Sequence, residues 1–352
     1  MLKARFKKHT LNFIHPGGTS RGIMNSKDSW ILFIYVEDAP EYYGIGECSL
    51  IKGLSIDDRS DFESKLQIVC DDIDNWQYWL EEGLFEFPSI RFGLEMAIKD
   101  LSEDGDCILF SSSFTTGEDK IPINGLVWMG DYQIMRERII EKIENGFSCI
   151  KLKVGAINFE DEIKLLNLIR TDFSDKEIEL RLDANGAFTK DDAEEKLKIL
   201  SQFSIHSIEQ PIAPKQWELM ADLCSKSPIP IALDEELIGI HNQDYISKML
   251  EEIAPHYIIL KPGLIGGWSQ SSTFIREAEN QNIGWWITSA LEGNIGLNAI
   301  AQWAYTLGNP MPQGLGTGQL FSNNIASPLK MEGGFLHYDP KLKWEIEGII
   351  NG

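Results

Sequence analysis

The sequence predicts an α/β fold, a (β/α)8 barrel of the TIM type, with an α+β capping domain built from the N-terminal part and the C-terminal tail. Three observations lead there. Strand-like and helix-like segments alternate about eight times between residues 121 and 316, close to the roughly 200 residues such a barrel needs. Ahead of that stretch, strand-like segments come first and helices after, the order of an α+β module. Charged residues then recur at strand ends: Lys153, Asp183, Glu209, Asp234 and Lys261 stand 30, 26, 25 and 27 residues apart. One βα repeat of a barrel this size averages about 25 residues, so each falls at the same place in consecutive units.

In chain order, strand formers at 2–13, 30–36 and 42–48 enclose a turn-rich piece at 16–22, and a second glycine-containing piece follows at 52–55. Apolar residues from Phe62 to Trp79 keep a mostly helical spacing over 57–82, and Pro88 opens a further helix to about 101. The polar segment 103–120 marks a boundary, which divides the chain into a capping domain at 1–117, a barrel at 118–325 and a returning tail at 326–352. Barrel strands are expected at 121–127, 149–154, 178–182, 207–208, 230–233, 257–260 and 283–287, with 313–316 closing the set. Helices lie between them. A doubly wound sheet would also alternate, but no GxGxxG follows the first strand.

Composition narrows the function. Against 54 acidic residues stand 32 Lys and Arg, a net charge of -22, which repels a nucleic-acid backbone or an anionic membrane. Five scattered cysteines form no CxxC pair, so a reducing compartment is expected. The N-terminus has no leader-like apolar run and no stretch approaches a membrane span, so a soluble, cytoplasmic protein is expected.

Lys151 and Lys153 are spaced to lie on one face of a strand whose other face carries Ile150, Leu152 and Val154. Two ammonium groups ~6 Å apart at an effective dielectric of ~20 repel by about 3 kcal/mol, enough to lower a pKa by about two units. An isolated KxK more often snorkels outward. Here three carboxylates follow at neighbouring strand ends, and Asp183, Glu209 and Asp234 cannot all stay ionised without a cation. Oxygen donors without histidine or cysteine favour Mg²⁺. Each carboxylate alone would pass for a helix N-cap, but three in succession between lysines would not. Lys153 on the second strand and Lys261 on the sixth would face each other across the metal. One can remove a proton next to a metal-bound carboxylate, and the other can stabilise the charge that forms.

The set KLK, LDANG, IEQP, ALDE and ILKP resembles the enolase superfamily, in its muconate-lactonizing subgroup, over nearly the whole chain. The resemblance implies a Mg²⁺ enzyme, with Mn²⁺ as the alternative ion, acting on a small-molecule carboxylate. It also implies two cap loops closing the site, at 17–22 with Ser20 and Arg21, and at 52–55. Dipeptide epimerases of the subgroup carry Asp-x-Asp near the eighth strand to hold an ammonium. This chain has Gly-Leu-Gly-Thr-Gly at 314–318, so Gly316 offers bare backbone to a bulkier or anionic group. Residues 288–296 end the seventh strand and open a helix, offering the Ser289 hydroxyl and the Gly293 N–H to a second carboxylate.

The runs TSALEGNIGLNAIAQWA, QGLGTGQLF and PGGTSRG are similar to those of the subgroup's dehydratases, which convert 2-succinyl-6-hydroxy-2,4-cyclohexadiene-1-carboxylate to 2-succinylbenzoate in menaquinone biosynthesis. That resemblance implies a carbon–oxygen lyase acting by syn elimination. Lys153 would take the α-proton and return it to the departing hydroxyl, and Lys261 would stabilise the enediolate. Lys151 would tune Lys153, and Asn185 would orient substrate or a ligand. Racemisation of N-acylamino acids or epimerisation of dipeptides is the second reading. A barrel that binds a metal or small acid without turnover is the reading from another class.

Overall fold

The cap is organised by a strand that is buried on both faces. In the computed structural model, which describes residues 1–19, 22–346 and 348, three antiparallel strands run in the order β1 (Leu2–Thr19), β2 (Gly22–Val36), β3 (Ala39–Ser49). From β2, Trp30, Leu32 and Ile34 pack with Phe62, Leu66 and Ile90, whereas Ile31 and Phe33 pack on the opposite side with Ile295, Ile325 and Ile346. Two buried faces explain why 30–36 is apolar without alternation. From the turn-rich piece, residues 17–19 and 22 belong to the far end of this hairpin, past a register shift between Asn12 and Gly17, because antiparallel pairing extends to Thr19 and Gly22.

Helices α1 (Phe62–Asp71) and α2 (Pro88–Ser102) cover one face of the sheet. The expected single helix over 57–82 breaks after Asp71. Asp72 instead accepts from the Asn75 amide and the Trp79 indole, a local competition that short acidic side chains win at helix ends. The approach of α2 to β3 is set by glycine: a Cβ at Gly46 would lie 1.9 Å from the Gly93 carbonyl oxygen, and one at Gly44 1.9 Å from that of Ala97.

After β4 (Lys120–Pro122) the barrel strands follow. They are β5 (Gly125–Val127), β6 (Cys149–Lys153), β7 (Glu179–Asp183), β8 (Ser207–Glu209), β9 (Ile231–Leu233), β10 (Tyr257–Leu260) and β11 (Gly284–Ile287), all parallel and neighbouring in sequence order. The eighth position is filled by residues 313 and 314, which close the ring through single bridges to Ile123 and Thr288. Helices α3 (Tyr132–Glu144), α4 (Phe159–Asp172), α5 (Ala193–Leu200), α6 (Trp217–Lys226), α7 (Gln243–Ile253), α8 (Gly267–Asn280) and α9 (Asn294–Thr306) fill the gaps between strands. Period-two alternation sends Ile150, Leu152, Leu180, Leu182, Ile208, Leu233 and Leu260 into the layer between strands and helices. The inward positions are left for other chemistry.

The tail forms β12 (Leu329–Glu332) and β13 (Phe335–Tyr338), and β13 pairs with β4 rather than with the cap sheet. Beyond it Trp344 and Ile346 join the Ile31, Phe33 and Ile45 cluster. The tail therefore touches both the start of the barrel and the cap.

Two outcomes follow from the packing. Gly46→Ala should lower stability by about 1–3 kcal/mol, the range for over-packing, read as a shift in the denaturation midpoint. Asp100 accepts the Ile45 and Cys107 N–H groups at 2.9 and 2.8 Å, and burial pushes its carboxyl up to about 7. The folded chain thus holds this proton more tightly than the unfolded chain, whose aspartates titrate near ~4. Its contribution is complete below about pH 4 and is lost as pH rises towards 7. Asp100→Asn should flatten the fall in melting temperature across that window.

Candidate active site

The interior of the barrel is layered. At its base Ala232, Ile259 and Trp286 make a small apolar plug, with the Arg181 guanidinium 4.4 Å above the Trp286 ring. Above the plug, towards the strand C-termini, lie Lys151, Lys153, Asp183, Glu209, Asp234 and Lys261. Register explains their convergence: Lys153, Asp183 and Glu209 are direct partners across β6, β7 and β8, and Asp234 lies two residues past Ala232, the partner of Glu209. Tilted strands bring such staggered positions to one level.

The charges interleave. Lys151 bridges Asp183 (3.0 Å) and Glu209. Lys153 contacts Asp183 at 2.9 Å and donates to Asn185 Oδ1. Lys261 bridges Asp234 and Glu209, the latter at 3.5 Å. Asn185, at a left-handed φ of 45°, passes the chain on to Glu235 Oε1 at 3.0 Å. Asp183, Glu209 and Asp234 are each no more than 2% exposed. Buried charges at this density are tolerated only because each faces an opposite one.

Burial pushes Lys151 and Lys261 down, but the facing carboxylates outweigh it and leave both raised: Asp183 and Glu209 for Lys151, Asp234 and Glu209 for Lys261. For Lys151 this corrects the expectation that repulsion from its neighbouring lysine dominates. At a dielectric of ~20, one carboxylate contact at ~3 Å contributes about 5 kcal/mol of gross attraction, more than the lysine pair loses by repulsion. Asp183 is pushed up by burial but held well below the usual carboxylate range by Lys151, Lys153 and Lys261. Glu209 is pushed up to about 7 by burial and by the neighbouring Asp183 charge. Asp234 is raised by burial against the pull of Lys261.

Among the described residues, no three acidic, histidine or cysteine side chains are gathered as a ready-made cation site. The donor chemistry nevertheless fits a hard divalent ion: three buried carboxylates from adjacent strands, with oxygen donors only. Lys151, Lys153 and Lys261 offset the charge of those carboxylates.

A cavity of about 390 Å3 opens onto Lys151, Lys153, Asp183, Asn185 and Lys261. Met24, Ile51, Leu54, Leu126, Trp128 and Leu291 give it apolar walls, and Asn124, Glu235, Thr288, Ser289 and Thr317 add polar groups. Ser289 and Thr317 share a hydroxyl hydrogen bond of 2.6 Å beside Gly316, so both lie where an anionic or polar substrate end would reach. Residues 51–54 line the mouth, as do residues 22–24; Ser20 and Arg21 lie outside the described residues. Gly293 does not line the cavity. Its N–H donates to Glu47 Oε1 at 2.7 Å, and that of Gly296 to Glu47 Oε2 at 2.9 Å, so the cap itself fills the anion site at the start of α9.

Sequence reasoning missed Glu235 and Thr317. Glu235 had a signal, since it directly follows Asp234; Thr317 had none beyond proximity to a strand end.

The family model described as "Enolase C-terminal domain-like" matches residues 135–341. The o-succinylbenzoate synthase of Desulfotalea psychrophila is 44% identical, covering 95% of this chain and 98% of the relative. The D-Ala-D/L-Ala epimerase of Cytophaga hutchinsonii is 24% identical, covering 84% and 80%. Among solved structures, MenC from Desulfotalea psychrophila superimposes with a TM-score of 0.81 at 42% identity, covering 96% of this chain and 99% of that one. Muconate lactonizing enzyme from Pseudomonas fluorescens gives 0.81 at 21% identity, a likeness of fold.

The carboxylate set makes a direct prediction. If these carboxylates hold a divalent cation, Glu209→Gln and Asp234→Asn should each weaken its binding by about tenfold or more, measured calorimetrically, because each would remove one anionic oxygen donor.

Proposed function

The chain belongs to the enolase superfamily, and within it to the o-succinylbenzoate synthases, and from that premise we propose how its barrel mouth performs the dehydration. The reaction is the syn loss of water from 2-succinyl-6-hydroxy-2,4-cyclohexadiene-1-carboxylate to give 2-succinylbenzoate, a carbon–oxygen lyase activity. The observation that carries the reading is the pair of lysines from opposite sides of the barrel on one ring of buried carboxylates, in a chain 44% identical to such a synthase along nearly its full length.

Enzymes of this superfamily typically use a divalent metal, and we assign Mg²⁺ to Asp183, Glu209 and Asp234. Bound there, it would supply the positive charge that lowers the cost of an enediolate at the substrate carboxylate. The protein's own groups do the rest. Lys153, held by Asp183 and Asn185, removes the proton from the carboxylate-bearing carbon and returns it to the departing hydroxyl on the same face. The C–H and C–O bonds break, water leaves, and the ring becomes aromatic. Lys261, kept protonated between Asp234 and Glu209, stabilises the developing negative charge. Asn185 fixes the position of Lys153, and Lys151 holds Asp183 and Glu209 beside it. The apolar walls suit a six-membered ring, and Ser289 with the backbone near Gly316 suits the succinyl end.

The reaction belongs to menaquinone biosynthesis and to the cytoplasm. All five cysteines are free and buried, which agrees with a reducing compartment. Among the described residues no helix is long and apolar enough to cross a membrane.

The test is loss of the cyclohexadiene ultraviolet absorbance on adding the protein with Mg²⁺. Turnover should stop with EDTA, and Lys153→Ala and Lys261→Ala should each lose about 10²–10⁴-fold in kcat with the metal still bound. Near wild-type turnover in either variant would remove that lysine from the mechanism. No turnover of the cyclohexadiene, with α-proton exchange in N-acylamino acids, would move the activity to racemisation.

A further inference from the structure

A lysine outside the catalytic set is buried where three cavity-lining segments meet. Lys27 lies on β2 shortly after Met24, which lines the cavity, and Ser49 ends β3 just before Ile51, which opens the second lining loop. Ala290 and Leu291 line it from the barrel side, after β11. The Lys27 ammonium joins all three segments. It donates to the Ser49 hydroxyl, to the Leu291 carbonyl at 2.7 Å and to the Ala290 carbonyl at 3.5 Å.

The barrel side of this junction is strained and sealed. Leu291 sits at a φ of 61°, a left-handed conformation that a leucine adopts only when its surroundings impose it. Glu292, fully buried, folds back onto the Ala290 N–H at 2.6 Å, and its charge with that of Glu47 faces Lys27. Glu47 in turn holds the N–H groups of Gly293 and Gly296. Residues 24, 51–54 and 289–291, which flank the anchor points of Lys27, all line the cavity.

We propose that Lys27 is a positioning residue for substrate recognition. It sets the spacing between the stems of the two cap loops and the loop after β11, and so the shape of the pocket around Leu291 and Ser289. The kinetic half of this inference rests on the dehydration reading; the tether itself does not.

Lys27→Met removes the donors and keeps the chain length. KM for the cyclohexadiene should rise about tenfold or more, with kcat within about threefold, because a hydrogen bond from a charged donor that shapes binding is lost. Backbone amide exchange should speed up together in 51–54 and 289–293. Ser49→Ala, which removes one bond of the tether, should shift both readouts the same way by less, and it decides the matter if Lys27→Met does not fold. Ile34→Val, on the same strand but in the apolar core on its opposite face, lowers stability without touching the tether and should leave both readouts unchanged. Unchanged KM and exchange in the folded tether variants, or an equal shift in Ile34→Val, would overturn the proposal. If the wild type does not turn over the cyclohexadiene, the exchange data alone decide: concerted acceleration supports the tether, and none overturns it.

Discussion

Everything in this molecule that bears on chemistry depends on one electrostatic arrangement: three ammonium groups interleaved with three carboxylates inside the end of a parallel barrel. Neither set would survive there alone. A buried carboxylate or ammonium without a partner costs several kcal/mol, and removing one partner of a buried pair is similarly damaging. Placed in register on neighbouring strands, the two sets satisfy one another, and the apolar layer outside the strands is free to hold the helices.

The cap serves the site by filling positions the barrel leaves open. Glu47 reaches from the cap sheet to the start of α9, and Glu95 on α2 accepts the N–H groups of Trp268 and Ser269 at the start of α8, with Arg91 holding the Gly266 carbonyl nearby. Two barrel helices thus take their N-terminal partners from the cap. The cap is fixed over the cavity by groups that an isolated barrel would present to water or to substrate.

Much of the site was legible because the barrel is a repeat. Lys153, Asp183, Glu209, Asp234 and Lys261 recur at a spacing that only equivalent strand ends explain, and the structure gathers them in one layer. What escaped was long-range. Leu291 lies 264 residues from Lys27, and no local pattern announces that contact. The helix expected over 57–82 breaks at Asp72, which turns back on Asn75 and Trp79 before short helical turns carry on to Gly83, a side-chain choice that hydrophobic spacing does not encode. The sense of the Lys151 shift was misjudged because only its neighbour Lys153 is visible in one strand, while the carboxylates that outweigh that repulsion arrive from three others. Gly293 looked like an open anion site for the same reason: its partner, Glu47, belongs to another domain.

The most direct measurement is a crystal structure with Mg²⁺ and 2-succinylbenzoate bound. The account predicts a cation contacted by Asp183, Glu209 and Asp234, the product carboxylate beside it, and Lys153 and Lys261 on opposite sides of the carbon that bears that carboxylate. A cation bound elsewhere, or either lysine turned away from that carbon with product in place, would contradict it.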